Sequence, residues 1–149
     1  MIEIIKEIEQ LLEIPLGLLL AICHVESNHR NIHNLNDFGS PSYGPCQIKL
    51  ETARLFNPRL TGKDLYKPKK SVYYAGLYLK KQLKRYNEED CAIASYNSGT
   101  CKFKKEKIRN YYYVRKVKEK WRGYCPITRI INETTEWTKH DQKMLDYSK

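Results

Sequence analysis

The run from Ile14 to Val25 is apolar and uninterrupted by any acid, lysine or arginine. It is too short to cross a bilayer, which needs about 20 apolar residues. From Leu16 to Val25 it is apolar on every face, the composition of a buried central helix around which other elements must pack. Pro15 suits the first turn of such a helix. The helix ends near Glu26, where the sequence turns abruptly polar through Ser27-Asn28-His29-Arg30-Asn31. A chain built around this run has to supply several amphipathic helices to cover it.

The rest of the chain does so. Ile4, Ile5, Ile8, Leu11 and Leu12 recur at helical spacing and predict a first amphipathic helix. Val72, Ala75, Gly76, Leu79 and Leu83 form a stripe that predicts a long helix over about 70–86. Glu88 to Ser95 reads as another, packed through Cys91, Ala92 and Ile93. Tyr113, Val114, Val117 and Trp121 mark one more. A short helix is expected over Leu50 to Phe56, stopped before Pro58. Asn34 to Gly44 is rich in Asn, Asp, Gly, Ser and Pro and reads as a loop. Ile127 to Ile131 has the composition of a short strand and Glu136 to Tyr147 that of a terminal helix. With 149 residues, 41% hydrophobic and without internal repeats, the expectation is one mainly α domain over 1–149, with at most a short β element.

Five cysteines (Cys23, Cys46, Cys91, Cys101 and Cys125) cannot all pair within one chain and show no CxxC. Cys23 and Cys91 sit in apolar stretches and read as buried thiols, so a reducing compartment is expected; one disulfide, for instance Cys101 with Cys125, stays open. The acidic start, with Glu3, Glu7, Glu9 and Glu13, has the wrong charge for an export signal. Synthesis in the cytoplasm is therefore expected.

The net charge of +10 is uneven: ten Lys or Arg lie between Lys102 and Arg122, against Glu106 and Glu119. This points to a polyanionic partner or to a solvated helix face. Interleaved with Tyr111, Tyr112, Tyr113 and Trp121, the segment could grip single-stranded nucleic acid. No recognisable nucleic-acid module accompanies it, and the stripe through Tyr113 and Trp121 is more simply core.

Three segments carry chemistry. His24-Val25-Glu26-Ser27 places a carboxyl at the end of an apolar helix. Ser42-Tyr43-Gly44-Pro45-Cys46-Gln47-Ile48 is a Gly turn leading to an amide. Ala92-Ile93-Ala94-Ser95-Tyr96-Asn97-Ser98-Gly99 is a helix end with a Gly suited to a C-terminal cap. A partly desolvated glutamate has a raised pKa and can act as a general acid on a glycosidic oxygen. Gln47, Tyr96 and Asn97 offer directional hydrogen bonds to sugar hydroxyl and acetamido groups, and Ser42 and Ser95 are grouped with them as substrate contacts. A zinc reading of His24-Val25-Glu26…Pro45-Cys46 fails on ligand count, since Lys49 stands where a second cysteine is needed. His24 and His29, five apart, do not share a helix face. No metal and no cofactor are expected.

In this order and spacing the segments resemble the soluble lytic transglycosylase domain, shared with goose-type lysozymes. Glu26-Ser27 is similar to its catalytic E-S pair, Gly44-Pro45-Cys46-Gln47-Ile48 to its G-L-M-Q-I, and Ser95-Tyr96-Asn97-Ser98-Gly99 to its A-Y-N-A-G. Ala75-Gly76-Leu77-Tyr78-Leu79 resembles A-G-x-Y-L, and Tyr113-Val114-Arg115-Lys116-Val117 the closing Y-V-x-x-V. The resemblance spans about Leu11 to Val117; the extension 122–149 lies outside it. Pro45-Cys46 replaces Leu-Met, and Arg109 stands where the family often has a Glu.

The resemblance implies a lysozyme-like helical fold and cleavage of the β-1,4 bond between N-acetylmuramic acid and N-acetylglucosamine. Glu26 would be the acid, Tyr113 would hold it through its hydroxyl, and the muramyl 6-hydroxyl would attack to leave a 1,6-anhydro end. Hydrolysis would need a second carboxylate, for which Asp37 is the candidate, although Asp37 beside Gly39 also suits a turn. Non-hydrolytic cleavage is the preferred expectation, with peptidoglycan strands as partner and no specific nucleic acid, a monomeric enzyme, and delivery to the wall by a virion or secretion machinery. A non-catalytic wall-binding or nucleic-acid-binding protein is the other class of reading.

Overall fold

The computed structural model describes residues 1–124; the expected strand at 127–131 and terminal helix at 136–147 lie outside the described residues. Helix α1 (Ile2–Leu11) turns its stripe of Ile5 and Ile8 inward. The central helix α2 (Leu18–Ser27) buries Leu18 through Cys23 without a break. It starts later than Pro15 suggested, because Gly17 is left-handed at φ 85° and sets the first helical residue after it. Leu16, left outside, is exposed.

Glu9 was not expected in the core. It follows Ile8 on the buried stripe of α1 and is 1% exposed. Its carboxylate accepts the N–H groups of Gly17 and Leu20, both at 2.9 Å, and so satisfies orphan donors at the start of α2. Burial nevertheless pushes its pKa up, against the lowering effect of those backbone bonds.

The segment Asn34 to Gly44 is not a loop. His33–Asp37 (β1) and Ser40–Tyr43 (β2) form an antiparallel hairpin, with Ile48–Lys49 (β3) completing a three-stranded sheet in the order β1-β2-β3. Its turn residues, Phe38 at φ 51° and Gly39 at φ 81°, are both left-handed, the requirement of a tight two-residue hairpin turn. The Asn, Asp, Ser and Pro content masked two short strands, of which β1 is mostly exposed and β2 ends buried at Ser42 and Tyr43, without apolar alternation to mark them.

Short helices α3 (Leu50–Ala53) and α4 (Gly62–Leu65) lead to α5 (Pro68–Arg85), which has Pro at its first position as helix starts favour. On α5, Gly76 lets α1 approach: a Cβ there would sit 2.7 Å from Leu12 Cδ1 and 3.2 Å from Ile8 Cγ2. Helix α6 (Glu89–Ser98) runs three residues beyond the expected end and closes on Gly99, left-handed at φ 82°, whose N–H bonds Ser95 O. A second small hairpin, β4 (Phe103–Lys104) with β5 (Lys107–Ile108), precedes α7 (Tyr111–Tyr124). Helix α7 lies along α2 and buries Tyr113, Val114, Val117 and Trp121 as the stripe predicted. With Tyr113 and Trp121 in the core, those two rings are not available for stacking nucleic-acid bases.

Two disulfides overturn the thiol reading. Cys23 pairs with Cys46 and Cys91 with Cys101, so Cys101 is not free for Cys125, which lies outside the described residues. The apolar surroundings of Cys23 and Cys91 hid this, since a buried thiol and a buried disulfide look alike in local sequence. Paired cysteines also argue against the reducing compartment that was expected. No helix among the described residues is long and apolar enough to cross a membrane.

Candidate active site

The site forms where the end of α2, the β1-β2-β3 sheet and the end of α6 meet. Helix α2 stops because Asn28 is left-handed at φ 56°, its N–H bonding His24 O. This leaves Glu26 in the last turn, at the edge of the core. The following Ser27 is buried and its hydroxyl donates to Pro45 O at 2.6 Å. Cys23, a turn earlier, holds the adjacent Cys46 covalently, and the Tyr96 hydroxyl donates to Cys46 O at 2.7 Å. The Gly44-to-Gln47 turn is thus fixed to α2 and α6 at three points. Gly44 is irreplaceable for space as well as for its φ of 76°, since a Cβ there would meet Ser71 Oγ at 2.1 Å. Pro45-Cys46, which departs from Leu-Met, holds the turn by a disulfide and carbonyl hydrogen bonds.

A cleft of about 490 Å³ opens above this turn. Glu26 lines it together with Asn34 and Asp37 from the first hairpin, Gln47 and Lys49 beyond it, Glu51 and Thr52 from α3, Tyr78 from α5, and Tyr96, Asn97 and Ser98 from α6. The Tyr113 hydroxyl donates to Glu26 Oε1 at 2.8 Å. Desolvation raises the Glu26 pKa from the ordinary 4.5 to about 7; the Tyr113 hydrogen bond pulls it down, and the charge of Asp37 pushes it further up. Burial likewise holds the Tyr113 and Tyr96 hydroxyls well above their ordinary range, with the Glu26 charge adding to it. Both phenols therefore remain protonated donors.

The expected site residues divide into two groups. Glu26, Asp37, Gln47, Tyr96 and Asn97 come together in the cleft, and Tyr113 touches Glu26 from behind. Ser42 and Ser95 do not face it. Each is 0% exposed; Ser42 donates to Gln47 Oε1 at 2.8 Å and Ser95 to Ala92 O at 2.8 Å. Their assignment as substrate contacts is corrected to support beneath the walls. The Gln47 amide is also tied, donating to Gly44 O at 2.8 Å and Ile32 O at 3.0 Å, which orients its side chain at a left-handed backbone of φ 49°. Asn97 is exposed, and its Oδ1 accepts from Asn110 Nδ2 at 3.0 Å.

Sequence reasoning missed Asn34, Lys49, Glu51, Thr52 and Ser98. Of these only Asn34 lies in the segment expected to be a loop; Glu51 and Thr52 sit on the expected short helix, and it is the packing of that helix and of the sheet that turns them and Lys49 toward the cleft. His24 and His29 share no helix face, since α2 ends at Ser27, yet they meet in space. Their ring centroids are 4.8 Å apart, because left-handed Asn28 and His29 fold the chain back across the helix end. His24 Nδ1 lies 2.5 Å from the Tyr124 hydroxyl, and burial first, then Lys120 and His29, lowers its pKa.

The arrangement can deliver one proton from a carboxyl group within a groove lined by amides, hydroxyls and tyrosine rings, a lining suited to sugars. The family model of the transglycosylase SLT domain matches residues 3–118. No curated protein and no solved structure matches the chain.

Proposed function

The chain belongs to the transglycosylase SLT domain family, and from that premise we propose that it is a peptidoglycan lytic transglycosylase with Glu26 as its general acid and base. The observation that carries this reading is the Glu26 carboxyl, held by Tyr113 at 2.8 Å and with a pKa of about 7, on the wall of the cleft. Near neutral pH about half of such a group is protonated, the balance a residue needs to give a proton and then take one.

Glu26 donates its proton to the glycosidic oxygen as the bond from the muramyl C1 to that oxygen breaks. The resulting carboxylate accepts the proton of the muramyl 6-hydroxyl as its oxygen bonds to C1. The products are a 1,6-anhydromuramyl end and a free 4-hydroxyl on N-acetylglucosamine, with no water consumed. Gln47, Tyr96 and Asn97 line the path of the glycan and are the residues assigned to hold it.

A second reading has one observation in its favour. Asp37 lines the same cleft and its charge acts on Glu26, as a carboxylate positioning water for hydrolysis would. Mass analysis of sugars released from purified peptidoglycan decides between the two. Anhydromuramyl products that vanish in Glu26→Gln support the transglycosylase. Reducing ends that vanish in Asp37→Asn as well as Glu26→Gln support a lysozyme-type hydrolase. No release by the wild type refutes both and leaves a wall-binding protein. The disulfides favour action in the oxidising periplasm or outside the cell, reached by a virion or a secretion machine.

A further inference from the structure

A second cavity, of about 310 Å³, lies beside the cleft and is lined by Ser98, Thr100, Lys102, Arg109 and Asn110. Ser98 lines both spaces. Asn110 joins them, its Nδ2 donating to Asn97 Oδ1 at 3.0 Å and to Ala94 O at 2.9 Å. The cavity is therefore continuous with the α6 wall of the groove.

Its two cations are set by the β4–β5 hairpin. In that ladder Phe103 faces Ile108 and Lys104 faces Lys107, and one step out the Arg109 N–H bonds Lys102 O at 2.7 Å. Lys102 is thus opposite Arg109 and Lys104 opposite Lys107: two like-charged cross-strand pairs in one short ladder. Like charges directly opposite each other destabilise a hairpin. Among the described residues neither Lys102 nor Arg109 has an ion-pair partner. The base of the hairpin is nevertheless fixed, since Cys101 is bonded to Cys91 and its N–H donates to the Tyr86 hydroxyl at 3.1 Å. Two opposed, exposed cations over this cavity, on a hairpin whose base is fixed, are arranged for an anion, and they must hold it themselves, because the Asn110 amide and the Ser98 hydroxyl already donate within the protein.

We infer that Lys102 and Arg109 form a carboxylate site that holds the stem peptide of the glycan strand lying in the adjacent cleft. This rests on the reading of the chain as a peptidoglycan-cleaving enzyme, whose polymer carries carboxylates on side peptides hung from the muramyl residues. The shared wall favours a charge on the substrate itself over a separate polyanion such as nucleic acid.

The test is binding, measured in the full chain carrying Glu26→Gln so that nothing is cut. Its affinity is compared at low salt for soluble, uncrosslinked wall strands with stem peptides intact and for the same wall strands stripped by an amidase. Two exposed charge pairs predict about a fivefold preference for the peptide-bearing wall, weakening as salt rises. Adding Lys102→Gln and Arg109→Gln brings the two affinities together. A preference that survives the double substitution overturns the site, as does equal affinity of the parent for both walls. Loss of oligonucleotide binding in the double variant, with the wall preference intact, overturns it in favour of a phosphate surface. The enzymatic reading is judged separately by product analysis of the wild type, so either can fail without the other.

Discussion

Replacing Glu26 by glutamine is expected to stabilise the protein, but only where the carboxyl would be charged. Glutamine keeps an oxygen to accept the Tyr113 hydrogen bond and removes only the ionisation. The pKa of Glu26 lies at about 7 in the folded chain against the ordinary 4.5, so the native state holds its proton more tightly than the unfolded chain does. Native stability is therefore undiminished below about pH 4.5, falls as pH rises, and bears the full penalty above pH 7. At about 1.4 kcal/mol per pH unit the penalty reaches about 3 kcal/mol. For a chain of this size that corresponds to a rise in Tm of roughly 6–12 °C for Glu26→Gln at pH 8, shrinking to little or nothing at pH 4.5. Thermal and denaturant unfolding of both proteins from pH 4.5 to 8, in non-reducing buffer, measures it. A difference independent of pH, or a variant less stable at pH 8, would refute the claim that Glu26 is held in a desolvating site.

The partners of Glu26 should shift activity in opposite directions along the pH axis. Tyr113→Phe removes the bond that lowers the Glu26 pKa and Asp37→Asn the charge that raises it, so the descending limb of the pH–rate profile near 7 moves up in the first and down in the second; unmoved limbs would detach that limb from Glu26. The disulfides close loops with separations of 23 and 10 residues, which the chain-entropy model values at about 3 kcal/mol each. Denaturant unfolding with and without reductant, which opens both, should show a combined loss of about 6 kcal/mol, and an unchanged midpoint would return the cysteines to thiols.

Much of this architecture was legible because it is local. The apolar run before Glu26 demanded a buried helix, the stripes on α1, α5 and α7 named their own buried faces, and Gly99 marked the end of α6. Three short segments in register pointed to Glu26, and the Tyr113 hydroxyl is within hydrogen-bond reach of it. The hairpin between His33 and Tyr43 was illegible because its strands are short and polar, so no alternation of apolar residues marks them. Ser42 and Ser95 carry the polar side chains of a binding site, and only packing reveals that they face inward.

By itself, then, the sequence determined the helical elements, the faces they bury and the carboxyl at the end of the central helix, since each depends on residues within a few turns of one another. The tertiary structure alone decided the pairing of Cys23 with Cys46, the burial of Glu9, the inward turn of Ser42 and Ser95 and the alignment of Lys102 with Arg109. These depend on which distant groups share a space, and on how much water that space admits, and no spacing along the chain encodes either.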